Sequence, residues 1–256
     1  MKKILTTAIL CAGLVGFTAC DSFLDEDPKS SLTLDTYYKT SADIIGNVNY
    51  LYRDGAPDKM GNMTGAYRGS SLSVMNMVTG YFVNEYEGQE VDCSYARQLT
   101  RQDFTQSCCN YLTNDTWKSC YKSINVANAV IKYVDGVEMD NQAQYKAEAR
   151  FFRALNYFYL VKMFGDVPMV TEPTEDATLV EYPTRTAASE VFNTVIIPDL
   201  QFAVENLPNA TFAGNSHRVT KYAADMLLAD VYMRLGEYAN AVTPLKDVIN
   251  SGKFAL

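Results

Sequence analysis

Histidine and tryptophan occur once each in the 256 residues, as His217 and Trp117. One histidine cannot supply the clusters from which most zinc sites and acid–base dyads are built. There is no glycine-rich phosphate loop and no His/Cys metal constellation. Positive charge is scarce too: 22 Lys and Arg stand against 30 Asp and Glu, a net charge of −8. That balance argues against DNA, RNA or anionic lipid headgroups as the main partner. Beyond the first 19 residues no apolar run is long enough to cross a bilayer. The chain is rich in tyrosine and phenylalanine, 18 and 12 residues, and long enough to bury a sizeable core.

Lys2 and Lys3 precede an uncharged stretch at 4–19. It is shorter than the roughly 20 residues of a spanning helix and has the form of a secretory leader. Its end, Phe17-Thr18-Ala19-Cys20, resembles a bacterial lipobox, in which the cysteine is acylated and becomes the first mature residue. An ordinary leader with a chance cysteine is the bland alternative. Small Ala19 before Cys20 and the acidic stretch 21–27 after it favour lipidation. Stable anchoring needs more than one acyl chain, and bacterial lipoproteins resemble that solution. Residues 1–19 are then the leader, 20–35 a lipidated stalk and 36–256 the folded domain. Loss of the leader removes two lysines and no acids, leaving a charge of about −10. Cys93, Cys108, Cys109 and Cys120 remain after Cys11 and Cys20 are set aside. In an exported chain they can pair, in any of three ways. Structural roles, buried or bridged, fit their spacing better than a metal or redox site.

Helical periodicity predicts an all-α domain. A helix is expected over 36–54, capped by Asp35 or Ser41. Residues 55–72 carry four glycines and Pro57 and predict a loop; 73–86 predict a further helix. Residues 87–110 are polar and aromatic with no period, and long irregular segments are commonly functional. From Asn114 or Asp115 as cap, Trp117, Tyr121, Ile124, Ala127 or Asn128, and Ile131 form one helical face. The next helix, 141–164, is apolar around most of its circumference and so is expected between others. Gly165 and Pro168 end it. Residues 166–184 are expected as loop, and a helix at 186–206 is expected to kink or break at Pro198. Over 219–251, Leu228, Ala229, Tyr232, Leu235-Gly236, Tyr238 and Ala241 have tetratricopeptide spacing. Small Ala229 and Ala241 let two helices approach, and Tyr232 and Tyr238 are expected to fill the space between helix pairs. Pro244 is expected in the early turns of the second helix, where a missing donor costs least. The sequence stops at Leu256 just after this repeat with no polar capping helix, so a longer native protein is expected, the alternative being a genuinely short one with a frayed terminus.

Several segments together resemble the SusD-like (RagB/SusD) lipoproteins. They are Phe23-Leu24-Asp25-Glu26-Asp27-Pro28, the Trp117/Tyr121/Ile124/Ala127-Asn128 pattern, and Ala147-Glu148-Ala149-Arg150-Phe151-Phe152-Arg153-Ala154 running on to Phe164-Gly165-Asp166-Val167-Pro168. Pro198-Asp199-Leu200, Leu207-Pro208 and the repeat at 223–256 follow in family order. The resemblance implies a right-handed superhelix of tetratricopeptide-like helix pairs with irregular loops, here truncated. It implies an outer-membrane, surface-exposed lipoprotein that binds glycan or a similar nutrient. It further implies delivery to a SusC-like TonB-dependent transporter, without covalent chemistry and without a cofactor. Members usually run to about twice this length, so much of the ligand-binding portion is expected beyond Leu256.

Glycans are held by rings under their CH faces and by planar polar groups at their hydroxyls. Segment 84–103 offers both, and Asn84, Tyr86, Tyr95 and Arg97 are the candidate contacts; a plain surface loop is the competing reading. Arg150, Arg153 and Glu148 fit buried ion pairs better than an acid clamp, and Phe151, Phe152, Tyr157, Phe158 and Tyr159 fit a core. Two rival functions remain. An all-helical glycoside hydrolase needs two carboxylates at set distances, and spacing selects no pair; Asp225 and Asp230, five apart, share a helix face poorly. His217, in Asn215-Ser216-His217-Arg218, fits a capping or surface role better than a base. The third reading is a tetratricopeptide-type lipoprotein that binds other proteins.

Overall fold

The computed structural model describes residues 33–53, 79–81, 98, 101–103, 106–174 and 183–254, without the side chains of Asp35, Arg53 and 106–116. The leader, the stalk up to residue 32, the expected loop at 55–72 and most of 73–97 lie outside these residues. The chain divides into two units, Met1–Tyr37 and Tyr38–Leu256. The first contributes one described turn of helix, α1 (Leu34–Tyr37). The second holds α2 (Ser41–Arg53), α3 (Gln106–Tyr133), α4 (Gln142–Phe164), α5 (Ala188–Val191), α6 (Ile197–Asn206), α7 (Lys221–Arg234) and α8 (Tyr238–Asn250). Among the described residues the only sheet-like contact is one antiparallel bridge, Val167 to Thr186.

The expected helix at 36–54 is therefore two helices, and its cap is neither Asp35 nor Ser41. Thr40 caps α2: its amide and hydroxyl donate to the Asp43 carboxylate at 2.8 and 2.7 Å, and the Asp43 amide points back to the Thr40 hydroxyl at 3.4 Å. This reciprocal pair fixes two of the amide groups that a helix start leaves free. Residues 79–81 form a turn, not part of a helix. α3 begins at Gln106, so the irregular segment ends earlier than its composition suggests and Asn114 and Asp115 lie inside the helix instead of capping it. Tertiary packing overrides weak propensity in such cases.

α3 and α4 lie side by side, joined by a 3-10 turn at Val134–Gly136. α4 also packs on α6, α6 on α7 and α7 on α8, while α2 lies against α3 and α4. α4 is thus central, and Ala147, Ala149, Phe151, Phe152, Ala154, Tyr157, Phe158, Leu160 and Val161 are all buried. Gly165 ends it with a φ of +68°, a conformation open to glycine at little cost.

The interruption expected at Pro198 lies just before it, and Pro198 stands at the start of α6. A π turn at Phe192–Ile196 precedes α6, with the Ile197 amide bonded to the Phe192 carbonyl five residues back. The wider turn relieves the clash between the proline ring and the carbonyl four residues earlier. α7 and α8 meet through Ala229 and Ala241, both buried, with Gly236 at φ +75° between them. Two expectations fail here. Tyr238 opens α8 and is 69% exposed, so it fills no interhelical space. Pro244 lies inside α8, beyond its first turn, and is buried.

Candidate functional site

The arginines of α4 are structural. Arg153 donates from Nε and Nη2 to the two Asp199 oxygens at 2.6 and 2.9 Å, and from Nη1 to Asn128 Oδ1 at 2.9 Å. The π turn and α6 bring Asp199, only 2% exposed, to this clamp. Burial pushes the Asp199 carboxyl above its usual range, and Arg153, then Arg150, oppose that push. Arg150 stacks on Phe202, 4.2 Å from the ring centre, and stays 3.8 Å from Asp199.

Glu148 is fully buried. It accepts Nε of Arg218 at 3.0 Å and Nη2 at 2.5 Å, the Tyr52 hydroxyl at 2.9 Å and the Gln144 amide at 3.0 Å. Arg218 also bonds Asn49 at 2.8 Å and lies over the rings of Tyr52 and Tyr145. Burial first, and the Glu148 charge second, drive the Tyr52 hydroxyl far above its ordinary pKa. Both carboxylates are thus engaged by arginine, Glu148 by Arg218 and Asp199 by Arg153.

A third set of bonds fixes the segment after α4. The Tyr121 hydroxyl donates to the Pro168 carbonyl at 2.6 Å, Tyr157 exchanges bonds with both backbone groups of Val170, and Asn128 donates to the Val170 and Glu172 carbonyls. The aromatic cluster of α4 is core, as expected, apart from half-buried Tyr159.

Two concavities stand out among the described residues. One, of 620 Å³, opens between the start of α2 and the α3–α4 connection, with Glu138, Asp140, Asn141 and Tyr145 facing Ser41 and Ile45. The other, of 430 Å³, is an apolar groove of Phe212, Tyr222, Met226, Val248 and Phe254 beside α7 and α8. Nothing in the sequence singled out 138–145. Its only signal was two acids and an asparagine crowded into a short connection.

The sequence-predicted contacts Asn84, Tyr86, Tyr95 and Arg97, and Cys20, lie outside the described residues. The end of their segment is an exposed turn at 101–103, where the Asp103 amide bonds the Gln98 carbonyl at 2.8 Å. Cys120 is a free, buried thiol; Cys93 and the side chains of Cys108 and Cys109 are not described. His217 is exposed, at φ +62°, with its ring against Phe212, a surface position. Asp225 is buried on Lys221 and Asp230 is exposed, so the two share no site.

Stacked helix pairs, locked by buried arginine–carboxylate clamps, define a helical-repeat scaffold of the kind that presents binding surfaces. The chain belongs to the SusD-like family: the family model described as "Starch-binding associating with outer membrane" matches residues 22–233. A SusD-like protein of Formosa agariphila is 29% identical over 254 residues, spanning 98% of this chain and 47% of its own. One from Bacteroides ovatus is 29% identical over 248 residues, 94% and 40% of the two chains. Among solved structures, a laminarin-binding SusD-like protein superposes with a TM-score of 0.69 at 25% identity, covering 82% of this chain and 44% of its own. A structure with xylogluco-oligosaccharide gives a TM-score of 0.62 at 23% identity, over 83% of this chain and 41% of its own; that likeness shows the fold. The chain spans about half the length of the curated relatives it matches.

Proposed function

We propose that the protein is a cell-surface lipoprotein that binds glycan and passes it to a SusC-like TonB-dependent barrel, without covalent chemistry. The family match across 22–233, joined to the laminarin-binding relative of the same fold, carries this reading. In it, residues 1–19 are the leader, Cys20 is acylated to anchor the chain to the outer membrane, 20–35 form a stalk and 36–256 are the helical domain. Asn84, Tyr86, Tyr95 and Arg97 are the proposed glycan contacts. The buried clamps on Glu148 and Asp199 support a scaffold role for the most acidic part of the core.

The test has three measurements. Migration in gels containing laminarin, xyloglucan or starch should be retarded by at least one of them, with no shorter sugars released. Cys20→Ala should move the protein out of the membrane fraction. A large β-barrel should copurify with the membrane-bound form. Repeated release of shorter sugars would establish the hydrolase instead. Capture of periplasmic proteins alone, with no glycan bound, would establish the protein-interaction reading.

A further inference from the structure

The 620 Å³ cavity beside α2 falls in the range of small-molecule sites, about 300–1,000 Å³. Its polar side chains are Ser41, Glu138, Asp140, Asn141 and Tyr145, and among the described residues none of these side chains makes a hydrogen bond. Their surroundings are the opposite. Gln142 donates to the Val134 and Val137 carbonyls at 2.8 and 3.0 Å. Lys146 pairs with Asp135. Arg218, which lies over the Tyr145 ring, is committed to Glu148 and Asn49. The connection is therefore held firmly while the groups it presents stay uncommitted. Such preorganisation lowers the cost of binding.

The lining selects a ligand class. Glu138 and Asp140 accept hydroxyl protons, Asn141, Ser41 and Tyr145 both donate and accept, and Ile45 with the Tyr145 ring offers apolar surface to CH groups. Two carboxylates with no cation beside them in the described lining repel sulfate and uronate. We propose that this cavity, lined by described residues other than those of segment 84–97, is a binding site for neutral hexose units. The class of ligand rests on the glycan-binding reading above; the residues do not.

Calorimetry with laminarihexaose and with a neutral xyloglucan oligosaccharide tests it on the wild-type chain, Glu138→Ala/Asp140→Ala and Asn84→Ala/Tyr86→Ala. Both acids are exposed, so the first variant should keep the wild-type circular dichroism. It should weaken one class of sites by about tenfold or more, the scale of a lost hydrogen bond to a charged group; the second variant should leave that class intact. In protein carrying 3-fluorotyrosine, the fluorine signal assigned through Tyr145→Phe should shift with the same sugar. Unchanged binding in the double-acid variant, or an unmoved Tyr145 signal, overturns this inference alone. Binding that responds only to the double-acid variant supports it and removes the role of Asn84 and Tyr86. Binding of neither sugar overturns both readings. Displacement of the sugar-free Tyr145 signal by spermidine but not by sugar would make the cavity a cation site and overturn it too.

Discussion

Asp199 has two arginines within reach and hydrogen bonds to one. That asymmetry predicts unequal mutational costs. Arg153→Met leaves a buried carboxylate and the Asn128 oxygen without their donor, and urea unfolding should show a loss of about 3–5 kcal/mol. Arg150→Met removes a stacked cation that makes no hydrogen bond to Asp199, and should cost about 1 kcal/mol. In Arg153→Met/Asp199→Leu the stranded charge disappears, so most of the first loss should be recovered. Cys120 gives a second residue-level expectation. Burial pushes its thiol up to about 12, and the thiolate is the reactive form. Peptide mass spectrometry should find Cys120 unalkylated by iodoacetamide in the native chain and alkylated in urea; native labelling would contradict its burial. The buried roles of Arg153 and Glu148 were legible in sequence because a charge inside an apolar helix face must be paired. Their partners Asp199 and Arg218 were not, lying 46 and 70 positions away.

α4 was legible almost to the residue, because its apolar positions, Gly165 and Pro168 agree. α3 was not: residues 106–116 are rich in Ser, Thr, Asn and Asp, which read locally as caps and turns. The cavity at 138–145 was illegible for another reason. It exists only where α2 meets a connection nearly a hundred positions later, and its free polar groups look like any solvated loop. Two tests belong to this scale. Gly236 has open space around its Cα but a φ of +75°. Gly236→Ala should cost about 1 kcal/mol through backbone strain alone, read as a lowered urea midpoint. At α2, the Thr40 hydroxyl and amide hold the Asp43 carboxyl below its usual range. A depressed folded pKa means that the cap stabilises the helix above the ordinary carboxylate range and is lost as pH falls through the depressed value. Carboxyl carbon NMR of Asp43 should titrate low in the wild type and return to the ordinary range in Thr40→Ala.

Across the whole molecule, one clamp ties the earliest packed helix to the latest pair. Tyr52 and Asn49 of α2, Glu148 of α4 and Arg218 before α7 form one bonded set. Nearest-neighbour contacts alone would let a helical array fray from its ends. Here α2 is expected to open together with residues 216–219. Glu148→Gln should raise hydrogen exchange in both segments at once; exchange confined to one of them would show that the clamp does not couple them. The repeat order was legible from the spacing at 228–241, but this cross-link was not, since no periodicity connects positions 52 and 218.

The π turn before α6 has a further consequence. Geometrically it is one residue more than the surrounding helix needs, so it acts as a resident single-residue insertion. Taking out solvent-facing Thr194 should close the wide turn into ordinary α-helix and leave Val191 and Asp199 facing as they do now. Any aligned chain with an uninterrupted helix here should show a one-position gap between the residues matching Val191 and Asp199, and the same registration of its clamp on α4.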